Sequence, residues 1–150
     1  MLNKPKIYLD NCCFNRPFDD QMQLIIRLET EAILFIQEEI RNGNIEFVWS
    51  YILEQENEDN PFERRRESIR LWKPRAKMDI GESEEVIQLA ESYCQYPMKP
   101  KDALHVACAV VAGADYFITT DHRILKKTIK QIQIVNPVQF IQFYAEQKEL

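Results

Sequence analysis

Four carboxylates stand close to the ends of short apolar runs. Asp10 follows Ile7-Tyr8-Leu9, and Asp121 follows Tyr116-Phe117-Ile118 after two threonines. Glu54 lies just beyond Ile45-Glu46-Phe47-Val48-Trp49, and Asp102 opens the stretch Ala103-Leu104-His105-Val106-Ala107-Cys108-Ala109-Val110-Val111. Carboxylates gathered in one place repel each other and lose hydration unless something positive joins them. Hard divalent cations take oxygen ligands, and magnesium pairs one or two carboxylates with waters and phosphate oxygens. Such an ion polarises phosphoryl oxygens, so the chemistry these residues could do together is phosphodiester hydrolysis. Each acid also has a plain reading. Asp102 would suit a helix dipole, Asp121 an N-cap, and Glu54, Glu56 and Glu58 a solvated helix face.

The elements that must deliver these side chains alternate. Short apolar runs rich in β-formers read as strands at residues 6–10, 45–49, 115–119 and 133–135. Between the first two, residues 21–42 carry Leu28, Ala32, Ile36 and Ile40 on one helical face, flanked by Ile25 and Phe35, with Asn42-Gly43 as a stop. Strand, long helix and strand make a βαβ unit and hence a parallel sheet, whose carboxyl edge opens into the ligand crevice. Residues 11–20 read as a loop, with Asp19 or Asp20 as cap for the helix that follows. Ser50 is the expected N-cap of a helix over 51–59, ended by Asn60-Pro61. Further helices are expected over 62–72 and 82–96, in the apolar stretch ended by Gly113, and after Asn136-Pro137, with 73–81 loop-like and 122–130 a short basic helix or helix plus turn. The small residues after Asp102 predict a helix buried on nearly all sides.

The chain has 150 residues, enough for one domain with a proper core, and its apolar fraction of 45% suits a globular protein. No apolar run is long enough to cross a bilayer, and Met1-Leu2-Asn3-Lys4-Pro5 has no signal-peptide core. Cys12, Cys13, Cys94 and Cys108 form neither a Cys-x-x-Cys nor a zinc-like spacing, and Cys108 reads as a buried thiol. A reducing, cytoplasmic setting without membrane association is the expectation.

A net charge of −5 is not that of a typical nucleic-acid binder, but net charge says little about patches. Arg64, Arg65, Arg66, Arg70, Lys73, Arg75 and Lys77 fall in one stretch with Glu67 as its only acid. That run reads either as a solvated helix face or as a surface that contacts RNA phosphates. Trp72 beside it, and Phe14 near Asp10, are candidates for stacking on bases, with Asn15 and Arg16 as backbone contacts, whereas Trp49 reads as core.

Four segments resemble the four motifs of the PIN-domain family, in order along nearly the whole chain. They are Leu9-Asp10-Asn11, Ser50-Tyr51-Ile52-Leu53-Glu54, Lys101-Asp102-Ala103-Leu104-His105-Val106-Ala107 and Ile118-Thr119-Thr120-Asp121. The resemblance implies a three-layer α/β/α fold with a short parallel sheet in strand order 3-2-1-4-5. It also implies a ribonuclease that uses Mg²⁺ or Mn²⁺ and leaves 5′-phosphate and 3′-hydroxyl ends. Many members are VapC-like toxins restrained by a cognate antitoxin, often as homodimers. Asp10, Glu54 and Asp102 match the three main acids, Asp121 the fourth, and Asn11 and Thr120 their polar supports. Glu56 is the alternative to Glu54, since both lie in one acidic run. His105, three residues after Asp102, reads as a histidine hydrogen-bonded beside the site, with metal ligation as the other possibility.

The competing functions are a catalytically inactive PIN-like RNA- or protein-binding domain, an aspartyl phosphatase and a dinucleotide-binding domain. The phosphatase would need Asp-x-Asp where the chain has Asp10-Asn11-Cys12, and a dinucleotide fold would need a Gly-x-Gly-x-x-Gly that three glycines do not supply.

Overall fold

The computed structural model describes residues 4–95 and 98–148. Five strands form one parallel sheet: β1 (Lys6–Leu9), β2 (Glu46–Ser50), β3 (Met78–Ile80), β4 (Tyr116–Ile118) and β5 (Gln133–Val135). Their order is β3-β2-β1-β4-β5, the order the resemblance implies. Helices cover both faces: α1 (Asn11–Asn15), α2 (Leu24–Arg41), α3 (Tyr51–Glu58), α4 (Glu63–Arg70), α5 (Glu84–Tyr93), α6 (Pro100–Val111), α7 (His122–Leu125) and α8 (Pro137–Lys148).

Alternation along the strands divides the core in two. Ile7 pairs in register with Phe47 and Tyr116, so these three share one face. Phe14 of α1 meets Phe47 and Trp49 there, and Phe140 of α8 meets Tyr116. Tyr8 pairs with Val48 and Phe117 on the opposite face, where its ring meets His105 of α6. α6 is buried along most of its length through Ala103, His105, Val106, Ala107, Cys108 and Ala109. Its small side chains let the helix lie close to the strands. Gly43 and Gly113, at φ +78° and +73°, end α2 and α6 in the left-handed conformation.

Three expectations are corrected. Residues 11–20 are not a plain loop, because α1 starts directly after β1 and a 3-10 turn follows over Arg16–Phe18. Pro17 is compatible with that turn because its first positions need no backbone donor. Asp19 and Asp20 do not cap α2, whose N-cap is Gln23; Asp20 accepts from the Met22 N–H in the turn before it. Residues 73–81 hold a 3-10 turn and β3, a three-residue edge strand too short and too exposed to show an apolar run.

The inward face of α2 is also rotated from the expected one. Ile33 and Glu29 are buried with Ala32, Ile36 and Ile40, whereas Ile25, Leu28 and Phe35 are exposed. Trp72, which had two readings, is core: it packs edge-on to Phe47, with the Arg41 guanidinium 4.7 Å above its ring. Phe14 is buried as well and presents no face to a base. Cys94 lies exposed just beyond α5, as its C-cap.

Candidate functional site

The sheet brings Asp10, Asp102 and Asp121 to its carboxyl edge. Asp10 is the first residue past β1 and only 7% exposed. Its Oδ1 accepts the Asn11 N–H at 2.8 Å, and its Oδ2 accepts the Thr119 hydroxyl at 2.8 Å. The carboxylate therefore caps α1 and ties β1 to the end of β4. Cys12 Sγ lies 3.5 Å from the same Oδ2 and accepts the Thr120 N–H at 3.4 Å. The hydroxyl that supports Asp10 thus belongs to Thr119, and Thr120 contributes its backbone.

Asp102 lies in the first turn of α6. Burial and the negative charges of Asp10 and Asp121 together hold its carboxyl above the ordinary value. That shift is the electrostatic trace of acids sharing one space. Asp121 caps α7, accepting the Arg123 N–H at 2.9 Å, and its Oδ2 lies 3.3 Å from the Arg123 guanidinium. Burial acts to raise Asp121, but Arg123 outweighs it and the carboxyl is lowered.

Glu54 does not join this group. Its carboxylate is 2.6 Å from Lys73 Nζ, and it lines a separate cavity of about 180 Å³ with Trp49, Asn57 and Arg66. The acid that α3 brings to the site is Glu56, which hydrogen-bonds His105 Nε2 and the Asn11 side chain. At 100° per residue the two glutamates lie about 200° apart around the helix. Glu56 follows the buried Ile52 and Leu53 by four and three residues, on the inward face. Burial pushes Glu56 up, but the bond and charge of His105, with Lys101 and Asn11, bring it below its ordinary value.

His105 is 1% exposed, with Nε2 against Glu56 and 3.9 Å from Asp10 Oδ1. Burial opposes its charged form, yet the bond to Glu56 and the charges of Asp10, Glu56 and Asp102 raise its pKa. Nδ1 lies 2.6 Å from the Tyr8 hydroxyl, which is also 2.6 Å from Ser50 Oγ. Burial drives the Cys108 thiol next to Ser50 up to about 12, so it stays protonated.

The basic run is largely occupied within the fold. Arg65 binds Asp19 and the Phe18 carbonyl, Arg66 the Asn60 carbonyl, Arg70 Glu67, and Lys73 Glu54. Of Arg64, Arg65, Arg66, Arg70 and Lys73, only Arg64 has no such partner among the described residues. Arg16 lies against Asp19 and Glu29, and Asn15 bonds Asn11 and Asn60. Cations not singled out in the sequence stand beside the acids instead. A cleft of about 160 Å³ is lined by Lys99, Asp102, Arg123 and Lys127 with Met98 and Ile124.

The donor chemistry, carboxylates from four separate segments, fits a hard divalent cation. Hydrogen bonds from His105 and Asn11 leave Glu56 with acceptor capacity. Among the described residues, however, no three His, Cys, Asp or Glu side chains already stand close enough to share one ion.

No protein-family model and no curated protein matches the chain. Among solved structures it is similar to a chain in the crystal structure of VapBC2 from Rickettsia felis bound to a DNA fragment from their promoter. The TM-score is 0.56 at 13% identity, over 87% of this chain and 98% of that one. The fold is PIN-like. At that identity the PIN-like likeness is one of architecture. No helix among the described residues is long and apolar enough to cross a membrane.

Proposed function

We propose that the protein is a metal-dependent endoribonuclease, with Asp10, Glu56 and Asp102 as the acids that hold Mg²⁺ or Mn²⁺ and Asp121 completing the ring. The observation that carries this reading is the convergence of Asp10, Glu56, Asp102 and Asp121 at the carboxyl edge of a PIN-like sheet. When bound, the ion supplies Lewis acidity toward a phosphoryl oxygen and acidifies water. The chain supplies the rest. Lys99, Arg123 and Lys127, beside Asp102, provide cations where a phosphodiester must approach carboxylates that would otherwise repel it. Thr119 and Asn11 hold Asp10 and Glu56 in place.

The test is cleavage of single-stranded RNA with and without Mn²⁺. Asp10→Asn keeps an oxygen to cap α1 and an amide to meet Thr119, so it retains the fold while removing the charge. We expect its cleavage rate to fall on the order of 10³-fold, the several kcal/mol that a misplaced Lewis acid forfeits. Cleavage at the wild-type rate would reject the assignment.

A partner protein belongs to the same reading. α2 exposes Leu24, Ile25, Leu28 and Phe35 along one side, an apolar stripe that helix packing within the chain leaves uncovered. An antitoxin-type protein, paired with this chain as in a toxin–antitoxin system, is the occupant we assign, with a homodimer as the alternative cover. A second function is favoured by one observation. His105, Lys101 and Arg123 already offset the acids, and among the described residues no three donors stand close enough to share one ion. A metal-free PIN-like binding domain would look like this, and calorimetry showing no Mn²⁺ uptake in the millimolar range would select it.

A further inference from the structure

Tyr8, Ser50 and His105 are buried polar side chains from β1, the end of β2 and α6, exposed by 0%, 0% and 1%. Buried polar groups require partners, and these three find them chiefly in one another. Their donors and acceptors can be followed atom by atom. Ser50 Oγ caps α3 by accepting the Leu53 N–H at 3.2 Å, and it also bonds the Cys108 thiol. With a neutral imidazole, Ser50 O–H donates to Tyr8, Tyr8 O–H donates to His105 Nδ1, and Nε2–H donates to Glu56. With a charged imidazole, Nδ1–H donates to Tyr8, Tyr8 O–H turns to Ser50, and Ser50 O–H turns to Cys108.

Both arrangements leave a hydrogen on Nε2 facing Glu56. A backbone carbonyl or carboxylate at Nδ1 would instead fix a proton there. A hydroxyl pair can reverse direction and so satisfies Nδ1 in either state, while the Glu56 carboxylate, an acceptor, requires the hydrogen on Nε2. Resting on the nuclease reading above, we propose that His105 is a positioning residue: held in place by Tyr8 and Ser50 and donating from Nε2–H, it fixes the carboxylate of Glu56 as the second acid of the site. Removing a partner of this kind from behind a metal-binding side chain costs about 10- to 100-fold in affinity.

The test uses the full chain and two readouts. Imidazole ¹⁵N NMR of the metal-free protein, above the pH at which His105 titrates, should show Nε2–H as the single tautomer. Glu56→Gln, whose amide can donate or accept, should give a mixture of tautomers in a chain whose circular dichroism is unchanged, whereas Tyr8→Phe should keep Nε2–H. Calorimetric Mn²⁺ titration then compares two amides: His105→Gln carries its NH₂ at the Nε2 position and His105→Asn at the Nδ1 position. We expect His105→Gln to bind within about 3-fold of wild type and His105→Asn to lose about 10-fold or more. An Nδ1–H tautomer in the wild type, or equal binding by the two amides, overturns the proposal. A wild type with the Nε2–H form and a Glu56-dependent tautomer that takes up no Mn²⁺ keeps the His105–Glu56 assignment and rejects the metal reading.

Discussion

Two charged regions of this molecule behave in opposite ways. The basic stretch from Arg64 to Lys77 is contiguous in sequence, yet its cations are largely dispersed into local pairs: Arg65 with Asp19, Arg70 with Glu67 and Lys73 with Glu54. The acids Asp10, Glu56, Asp102 and Asp121 are scattered over more than a hundred positions, yet Asp102 feels the charge of Asp10 and Asp121, and His105 that of Asp10, Glu56 and Asp102. Charges adjacent in sequence alternate around a helix and find neighbours on either side. Charges placed after parallel strands are carried to the same edge, whatever their spacing.

The comparison breaks most sharply at the two glutamates of α3. Glu56→Gln should lower Mn²⁺-dependent RNA cleavage about 10²-fold, while Glu54→Gln changes it less than about 2-fold. The reverse order, read from initial rates on one RNA, would return Glu54 to the site.

The cations give the next largest contrast, measured on the Asp10→Asn background so that RNA survives. Lys99→Ala with Lys127→Ala should weaken binding of single-stranded RNA and reduce the salt slope by about 1.4, two phosphate contacts at about 0.7 each. Arg64→Ala with Arg70→Ala should leave the slope within about 0.3 of the parent. Fluorescence anisotropy across a salt series reads both, and a larger loss in the second pair would restore the basic run as the RNA surface.

Stability against pH separates two acids of the site by sign. The pKa of Asp102 is raised on folding, so the folded chain binds its proton more tightly. Its contribution to stability therefore falls as pH rises from the unfolded value near 3.8 through the raised folded one. Glu56 is lowered, so its contribution is present above about 4.5 and is lost as pH falls through the depressed value. Without metal at pH 7, Asp102→Asn should raise Tm by about 1–3 °C after allowance for solvent screening, and Glu56→Gln should lower it. Thermal melts showing the same sign for both would dissolve the distinction. The smallest effect belongs to the half-exposed Lys73–Glu54 pair, where Lys73→Met should leave the urea unfolding midpoint essentially unchanged.

Much of this arrangement was legible in the residues. Apolar runs ending at Asp10 and Ser50 marked strands, and Ser50 announced the start of α3. The phase of α3 was readable too. Ile52 and Leu53 define its inward side, and Glu56 falls on it, whereas the motif resemblance selects Glu54 by spacing along the chain. Other features left weaker traces. β3 is too short for a period-two signal, and α1 is hidden by a proline and asparagines that usually mark loops. The inward face of α2 differs from the expected one because apolar residues lie on both of its sides, and periodicity does not decide which side the sheet takes. Thr119 and Tyr8 became visible as supports only through their partners, more than ninety positions away in sequence.

One carboxylate in the pocket has duties that outlast any chemistry. Asp10 caps α1 with one oxygen and fastens the end of β4 with the other, whereas Asp102 has no comparable architectural task and is disfavoured in its charged form by its surroundings. Were the proposed hydrolysis lost from a related chain, selection for folding alone would retain the first acid and release the second. Drift at Asp102, rather than persistence of Asp10, is therefore the mark by which silent copies could be told from working ones.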